Sequence, residues 1–329
     1  MRFLVVGLGS MGKRRVRCLK HLGFDDVLGF DLREDRRTEA AERYGIATTG
    51  DWTAALAERV DAWIISTPPD SHSAYGLQAI GAGAAFFTEA NVDEPETPEL
   101  IARLEETGIV GAPSCTMRYY AGPREIKAAV TSGRIGKPLA FTYHSGQYLP
   151  DWHPWENYTD FYVSKKQTGA CREIVPFELS WLIDAFGEVR DLRCLKGKVT
   201  ELQTDIDDVY QLLVSFDGVI GHMMVDVVAR PAVRLFRLLG SEGTLVWDHT
   251  AATIAVWSTQ AGTWETTSLA QGTIEPGYIH GEEPYIAEIA DFVAAVRGER
   301  PWPYSYAADE HVLGLLLRAE RDAAEVLVS

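Results

Sequence analysis

Cysteine is sparse in this chain. Its four copies, Cys18, Cys115, Cys171 and Cys194, form no Cys-x-x-Cys pair. That speaks against a disulfide framework, a thiol-redox motif or a zinc ribbon, and for reduced, mostly buried thiols. Long apolar runs are missing too. The N-terminal MRFLVVGLGS has only four consecutive apolar residues, Phe3 to Val6, before Gly7. This is too short for a signal-peptide core or a membrane span, so the expected location is the cytoplasm. Positive charge is in short supply, with 31 Lys and Arg against 47 Asp and Glu and a net charge of −16. Such a chain repels phosphate backbones and anionic bilayers, which disfavours nucleic-acid and membrane partners. Small anions can still bind at helix N-termini. His21, His222, His249, His280 and His311 show no metal-ligand spacing, and no metal is expected. Repeats and low-complexity tracts are also absent.

What is present suffices for two cores. The 329 residues are 46% hydrophobic and 24% charged, ordinary values for a globular protein. The first third alternates short apolar runs with helical patterns. Strands are expected at 3–6, 27–31, 62–67, 85–88 and 109–112, and helices at 11–22, 34–44, 71–82 and 98–107. That alternation predicts a parallel sheet covered on both faces. Beyond Cys115 the pattern changes. A helix over 123–132 and a strand over 139–146 lead into a long aromatic stretch, then a helix near 176–186. VYQLLVSF, VIGHMMVDVV and VRLFRLLG follow as strands of period two joined by tight turns, which implies antiparallel pairing. Helices over 283–297 and 309–326 close the chain. Apolar residues lie on both registers of these strands, and helices on one side would leave the other face open, so a homodimer or homotetramer is expected.

Gly7-Leu8-Gly9-Ser10-Met11-Gly12 is a complete Gly-x-Gly-x-x-Gly. It follows a strand directly, opens a helix, and is followed by Asp31 at the end of the next strand. In that context it reads as a dinucleotide fingerprint. Gly7 permits the tight turn, Gly9 lets backbone approach a pyrophosphate, and Gly12 lets the helix pack on the strand. The helix N-terminus, with Ser10 and Met11, then faces the phosphates. Asp31 is placed to accept from the ribose hydroxyls and to repel a 2′-phosphate, which favours NAD. Arg33 and Arg36 close by weaken that preference and leave NADP possible.

The chain resembles the Gfo/Idh/MocA oxidoreductases, relatives of glucose-fructose oxidoreductase and inositol dehydrogenase. The resemblance covers nearly the whole length. It rests on GLGSMG, STPPDSH at 66–72, the Glu89 strand end, MRYY…SGRIGKP at 117–138 and the order of the second domain. It implies an N-terminal Rossmann domain, here 1–118, which binds NAD. It also implies a C-terminal α/β domain, here 119–329, with a large, mainly antiparallel open sheet that binds substrate and oligomerises. By the same similarity Ser66, Thr67, Pro68 and His72 line the cofactor cleft, and Glu89 contacts the nicotinamide ribose. The implied activity is NAD(P)-dependent hydride transfer at a CH–OH/C=O centre of a sugar, cyclitol or nucleotide-sugar.

Two positions depart from the family pattern. In FFTEAN at 86–91, the motif's lysine is Ala90 and its proline is Asn91. In TGACREIVPFELSW, Glu173 stands at the aspartate position and Phe177 where a histidine belongs. Both usual proton carriers are gone and a carboxylate remains. The replacement is expected from the second domain, from His144, Tyr148, His153 or Lys166, with Glu173 orienting it. The stretch 144–166 is rich in aromatics and polar donors, which suits a sugar site and equally a packed loop or subunit interface. Two other readings stay open: a redox-neutral epimerase, lyase or glycosidase-type enzyme that keeps NAD bound, and a catalytically lapsed NAD- or sugar-binding protein.

Overall fold

The computed structural model describes residues 1–92, 94–152, 157–276 and 281–325. His153 therefore lies outside the described residues. The chain opens with β1 (Phe3–Val6), α1 (Ser10–His21), β2 (Val27–Phe30), α2 (Glu34–Tyr44), β3 (Ala47–Thr49), α3 (Trp52–Ala57), β4 (Ala62–Ile65), α4 (His72–Gly81), β5 (Ala85–Thr88), α5 (Thr97–Thr107) and β6 (Gly111–Pro113). It continues with α6 (Ala121–Ser132), β7 (Pro138–Gly146), α7 (Cys171–Phe186) and the strands β8 (Asp191–Gly197), β9 (Val209–Phe216), β10 (Val219–Asp226), β11 (Val233–Gly240), β12 (Gly243–Asp248), β13 (Thr253–Ser258) and β14 (Thr263–Ser268). α8 (Glu283–Val296), α9 (Tyr306–Arg321) and β15 (Ala324–Glu325) complete it.

Two compact units result: Met1–Thr116 with Gly272–His311, and Met117–Gln271 with Val312–Ser329. The expected domain boundary thus needs a correction, because residues 272–311 fold with the first unit. Charge and packing explain the placement. Glu282 accepts from Arg14 and Arg17 of α1 at 3.0 Å each. Ile289, Phe292 and Val293 of α8 fill one face of the first sheet beside Phe3, Val5 and Phe87.

The first unit's sheet has the order β3-β2-β1-β4-β5-β6, parallel throughout. Alternation along β1 feeds two cores: Phe3 and Val5 point to the α8 side, Leu4 and Val6 to the side of Trp63 and Phe86. β3 and α3 were not legible as periodic runs. α3 is instead fixed by its cap, with the Asp51 carboxylate accepting from the N–H groups of Thr53 and Ala54.

The second unit carries a nine-stranded sheet, β14-β13-β12-β11-β7-β10-β9-β8-β15. It is antiparallel except where β10 joins β7 and β15 joins β8. Phe141 and Tyr143 of β7, Phe236 of β11 and Trp247 of β12 pack with Trp181 and Phe186 of α7 into an aromatic core. α7 begins at Cys171, upstream of Pro176, which sits inside the helix. The proline removes one helical hydrogen bond, which makes it look like a start signal. Burial of Val175, Leu179 and Leu182 around it outweighs that loss. No disulfide links the four cysteines, and burial pushes the Cys18 thiol up to about 12, an unreactive state. Among the described residues no helix is long and apolar enough to cross a membrane.

Candidate active site

The glycine loop between β1 and α1 is built for backbone alone. Gly7 has φ +89°, and a β-carbon there would lie 2.6 Å from the Ser66 carbonyl oxygen. A β-carbon on Gly12 would lie 1.8 Å from the Gly7 carbonyl oxygen. At Gly9 the atoms within reach belong to the Arg36 guanidinium, 3.4 Å away. No side chain caps α1, so the positive end of the helix, opened by Ser10 and Met11, faces outward for an anion. Asp31 is almost fully buried, and its carboxylate accepts from the N–H of Leu8 and of Arg33, both at 2.8 Å. A dinucleotide's pyrophosphate fits this cradle: it is lined by glycine backbone, faced by the Arg36 guanidinium at Gly9, positively poled, and edged by an acid for the ribose.

The ends of β4 and β5 lie beside that loop and are tightly wired. Glu89 accepts both arms of the Arg15 fork at 2.7 Å and the Ser66 hydroxyl at 2.9 Å. The third nitrogen of Arg15 pairs with Glu288 at 2.9 Å. Glu288 is fully buried and accepts from Ser114, Thr116 and the Cys115 N–H. Burial pushes its carboxyl up, and Arg15 opposes that shift.

His72, expected to line the cofactor cleft, is 1% exposed. Its Nδ1 meets Asn91 Oδ1 at 2.8 Å and its Nε2 meets the Thr67 carbonyl at 3.0 Å. Burial holds its pKa below the ordinary histidine value. The ring is a brace between the β4 and β5 loops, with no nitrogen left for a ligand. Asn91 continues inward, donating to Asp309, which also accepts from Tyr304. The residue at the motif's proline position is thus a buried polar anchor.

In the second unit the expected candidates separate onto two faces of the sheet. Tyr143 and Ser145 of β7 point to α7, where both donate to the fully buried Glu178. His144 points the other way, and its Nε2 meets Asp226 Oδ2 at 2.5 Å. Burial raises the Asp226 carboxyl, but His144 and the N–H groups of Val228 and Ala229 lower it further, so the net shift is down. Tyr148 follows His144 into the loop, with its N–H on the Ala229 carbonyl and the Arg230 guanidinium 4.3 Å from its ring. Lys166 is exposed. Strand alternation thus sends His144 to the face opposite α7, where its partner is Asp226 and not Glu173.

Glu173 has a different companion. It lies in the first turn of α7, and the Tyr162 hydroxyl donates to its Oε1 at 3.2 Å. The Tyr162 carbonyl is held by the Thr168 hydroxyl at 2.7 Å and the Lys165 N–H at 3.1 Å. The turn into α7 passes through Ala170 at φ 39°, a conformation strained for alanine. Phe177 is one helical turn beyond Glu173, on the same face. Sequence reasoning missed Tyr162 as a partner, along with Arg15, Glu288, Asn91, Asp309 and Glu178. Tyr162 stood in the aromatic stretch without a mark to single it out. The others meet partners too distant along the chain for any spacing to reveal.

Two family models match: "Oxidoreductase family, NAD-binding Rossmann fold" over residues 1–109 and "GFO/IDH/MocA C-terminal domain" over residues 124–246. The chain belongs to the Gfo/Idh/MocA oxidoreductase family, and its N-terminal part is that family's NAD-binding Rossmann fold. Among curated proteins it is similar to inositol 2-dehydrogenase 3 of Saccharopolyspora erythraea, 29% identical over 192 residues, which is 56% of this chain and 54% of that enzyme. The chain thus spans about half the length of this relative. Levoglucosan dehydrogenase in complex with NADH shares the fold at TM-score 0.82 and 18% identity, over 98% of both chains. So does UDP-N-acetylglucosamine 3-dehydrogenase of Acidithiobacillus ferrooxidans, at TM-score 0.77 and 21% identity, over 98% of this chain and 97% of that one.

Proposed function

We propose that the chain is an NAD-dependent dehydrogenase of a sugar, cyclitol or nucleotide-sugar, with Tyr162 and Glu173 as its proton-transfer pair. The observation that carries the reading is the phenol–carboxylate contact at the start of α7, where the family pattern keeps its acid and this chain has lost its histidine. The names of the similar enzymes, which act on inositol, levoglucosan and UDP-N-acetylglucosamine, support the substrate class. Bound NAD supplies the hydride acceptor. The protein's task is the hydroxyl proton: Tyr162 Oη takes it from the substrate oxygen while passing its own to Glu173 Oε1. Glu89, fixed by Arg15 and Ser66, would orient the nicotinamide ribose. The test is NADH formation at 340 nm with NAD and a panel of myo-inositol, levoglucosan and UDP-N-acetylglucosamine. Stoichiometric NADH supports the reading. Product formed with no net NADH would favour the redox-neutral alternative.

The open face of the second sheet supports self-association. Leu213 is 58% exposed and Ile220 66%, and Leu195, Leu235 and Leu239 share their face, opposite α7. An apolar face of this kind is rare on a monomer. A homodimer or homotetramer is the expected result of light scattering at micromolar concentration, and Ile220→Asp should shift it toward monomer. A monomeric wild type would sink the assignment.

A further inference from the structure

Two charges in the second unit stand at the wrong ends of their helices. Arg172 lies in the first turn of α7, where the helix dipole disfavours a cation. Glu320 lies in the last turn of α9, where it disfavours an anion. The two meet: Arg172 Nε donates to both Glu320 oxygens, at 3.0 and 3.1 Å, and each side chain is 17% exposed. Glu320 is fixed in turn by the buried Tyr210 of β9, whose hydroxyl donates to its Oε1 at 2.8 Å. Arg172 also reaches back into the loop before α7, with its Nη1 donating to the Gln167 carbonyl at 2.5 Å. Helix stability does not explain this placement, and a local rule broken in this way points to a strained or functional site.

The bonds form a closed circuit around the candidate proton-transfer pair. Arg172 holds Gln167, and the next residue, Thr168, holds the Tyr162 carbonyl through its hydroxyl. The Tyr162 phenol then returns to Glu173, the neighbour of Arg172. Nothing at the helix end itself fixes this geometry. The N-cap, Ala170, is at φ 39° and makes no side-chain cap. The loop is wound tightly, since a β-carbon on Gly169 would lie 2.4 Å from the Lys165 carbonyl oxygen and 2.7 Å from that of Val163. We propose that Arg172, clamped between Glu320 and the Gln167 carbonyl, is the positioning residue that keeps the Tyr162 phenol on Glu173. The last turn of α9 thereby sets the geometry of a site at the start of α7. This role rests on Tyr162 and Glu173 being the proton-transfer pair. Arg172 acts through the loop, because its side chain leaves the helix about 100° round from that of Glu173.

The test is steady-state NADH formation with NAD and whichever of myo-inositol, levoglucosan and UDP-N-acetylglucosamine the wild type oxidises. The proteins are wild type, Arg172→Met, Arg172→Lys, Glu320→Gln, Tyr162→Phe and the double variant Arg172→Met/Tyr162→Phe. Arg172→Met should lower kcat about 10–100-fold, the scale of a misplacement of about 1 Å at the reacting groups. Its KM for the sugar should stay within about threefold of wild type. Arg172→Lys should lose less, because an ammonium keeps the charge and loses only the fork. Glu320→Gln should lower kcat in the same direction. Adding Arg172→Met to Tyr162→Phe should cost less than about threefold more, since the arginine acts only through the pair. Thermal melts would show which variants fold, and Arg172→Lys and Glu320→Gln carry the test if Arg172→Met does not. Arg172 and Glu320 variants that turn over within about threefold of wild type, beside a slow Tyr162→Phe, would overturn the positioning role alone. So would an Arg172→Met loss that persists in full in the Tyr162→Phe background, the mark of a merely structural residue. Tyr162→Phe as fast as wild type, or a wild type that oxidises none of the three sugars, would instead overturn the proton-transfer reading, and Arg172's role with it.

Discussion

Tyr162→Phe is expected to lower kcat by about 10²–10⁴-fold on whichever sugar or cyclitol the wild type oxidises, with NADH affinity unchanged. The substitution keeps the ring and removes only the hydroxyl that donates to Glu173. Glu173→Gln should fall in the same range, because the amide cannot receive the proton the phenol passes on. The double variant should lose little beyond either single one, since the two side chains act as one unit. The pH profile separates chemistry from shape. Wild type should show a limb in kcat/KM that both variants lose, whereas a packing defect would scale the whole profile. Turnover by both single variants within about threefold of wild type would sink the assignment. Histidine and lysine substitution at the motif positions is a further arm. Ala90→Lys alone should recover little, because Phe177 occupies the place of its partner.

Arg15→Met should cost about 3–5 kcal/mol of stability, the scale for stranding a buried charge. Arg15 is fully buried and holds Glu89 with one fork and Glu288 with its remaining nitrogen. Removing it leaves two carboxylates facing a hydrocarbon, against a total stability of about 5–15 kcal/mol for a typical domain. The loss should depend on pH in a definite direction. Burial already raises the Glu288 carboxyl in the native protein, with Arg15 pulling it down. A carboxyl raised on folding binds its proton more tightly in the native state, so its stability contribution is full below the unfolded value and is lost as pH rises through the folded value. Without Arg15 that folded value moves higher still. The melting-temperature deficit of Arg15→Met should therefore shrink over the range in which pH is lowered from neutral into acid, as Glu288 takes up its proton. A deficit constant across that range would assign the loss to packing.

The parts that could be read from residue order were those in which cause and effect lie within a few residues. GLGSMG opens a helix directly after a strand, and its glycines stand where a side chain has no room, at Gly7 and Gly12, or would meet the Arg36 guanidinium, at Gly9. Strand and helix patterns of the first third were legible because both faces of that sheet are buried, which makes each strand a short apolar run. The open face of the second sheet was legible from apolar residues on both registers of β10 and β11. The departures at Ala90, Asn91 and Phe177 were visible as well, though not their consequences.

Residue order determined that the chain has a parallel dinucleotide domain and a large antiparallel sheet, and that the usual lysine and histidine are missing. Only the tertiary structure decided that Glu282 reaches back 268 residues to Arg14 and carries α8 into the first unit. It decided that His72 is a buried brace, that His144 and Glu173 lie on opposite faces of one sheet, and that Tyr162 is the group beside Glu173. The physical reason is the same in each case. A glycine turn or a period-two strand is set by local sterics and alternation, whereas a buried charge or hydroxyl takes whichever partner the packed fold brings within hydrogen-bond distance.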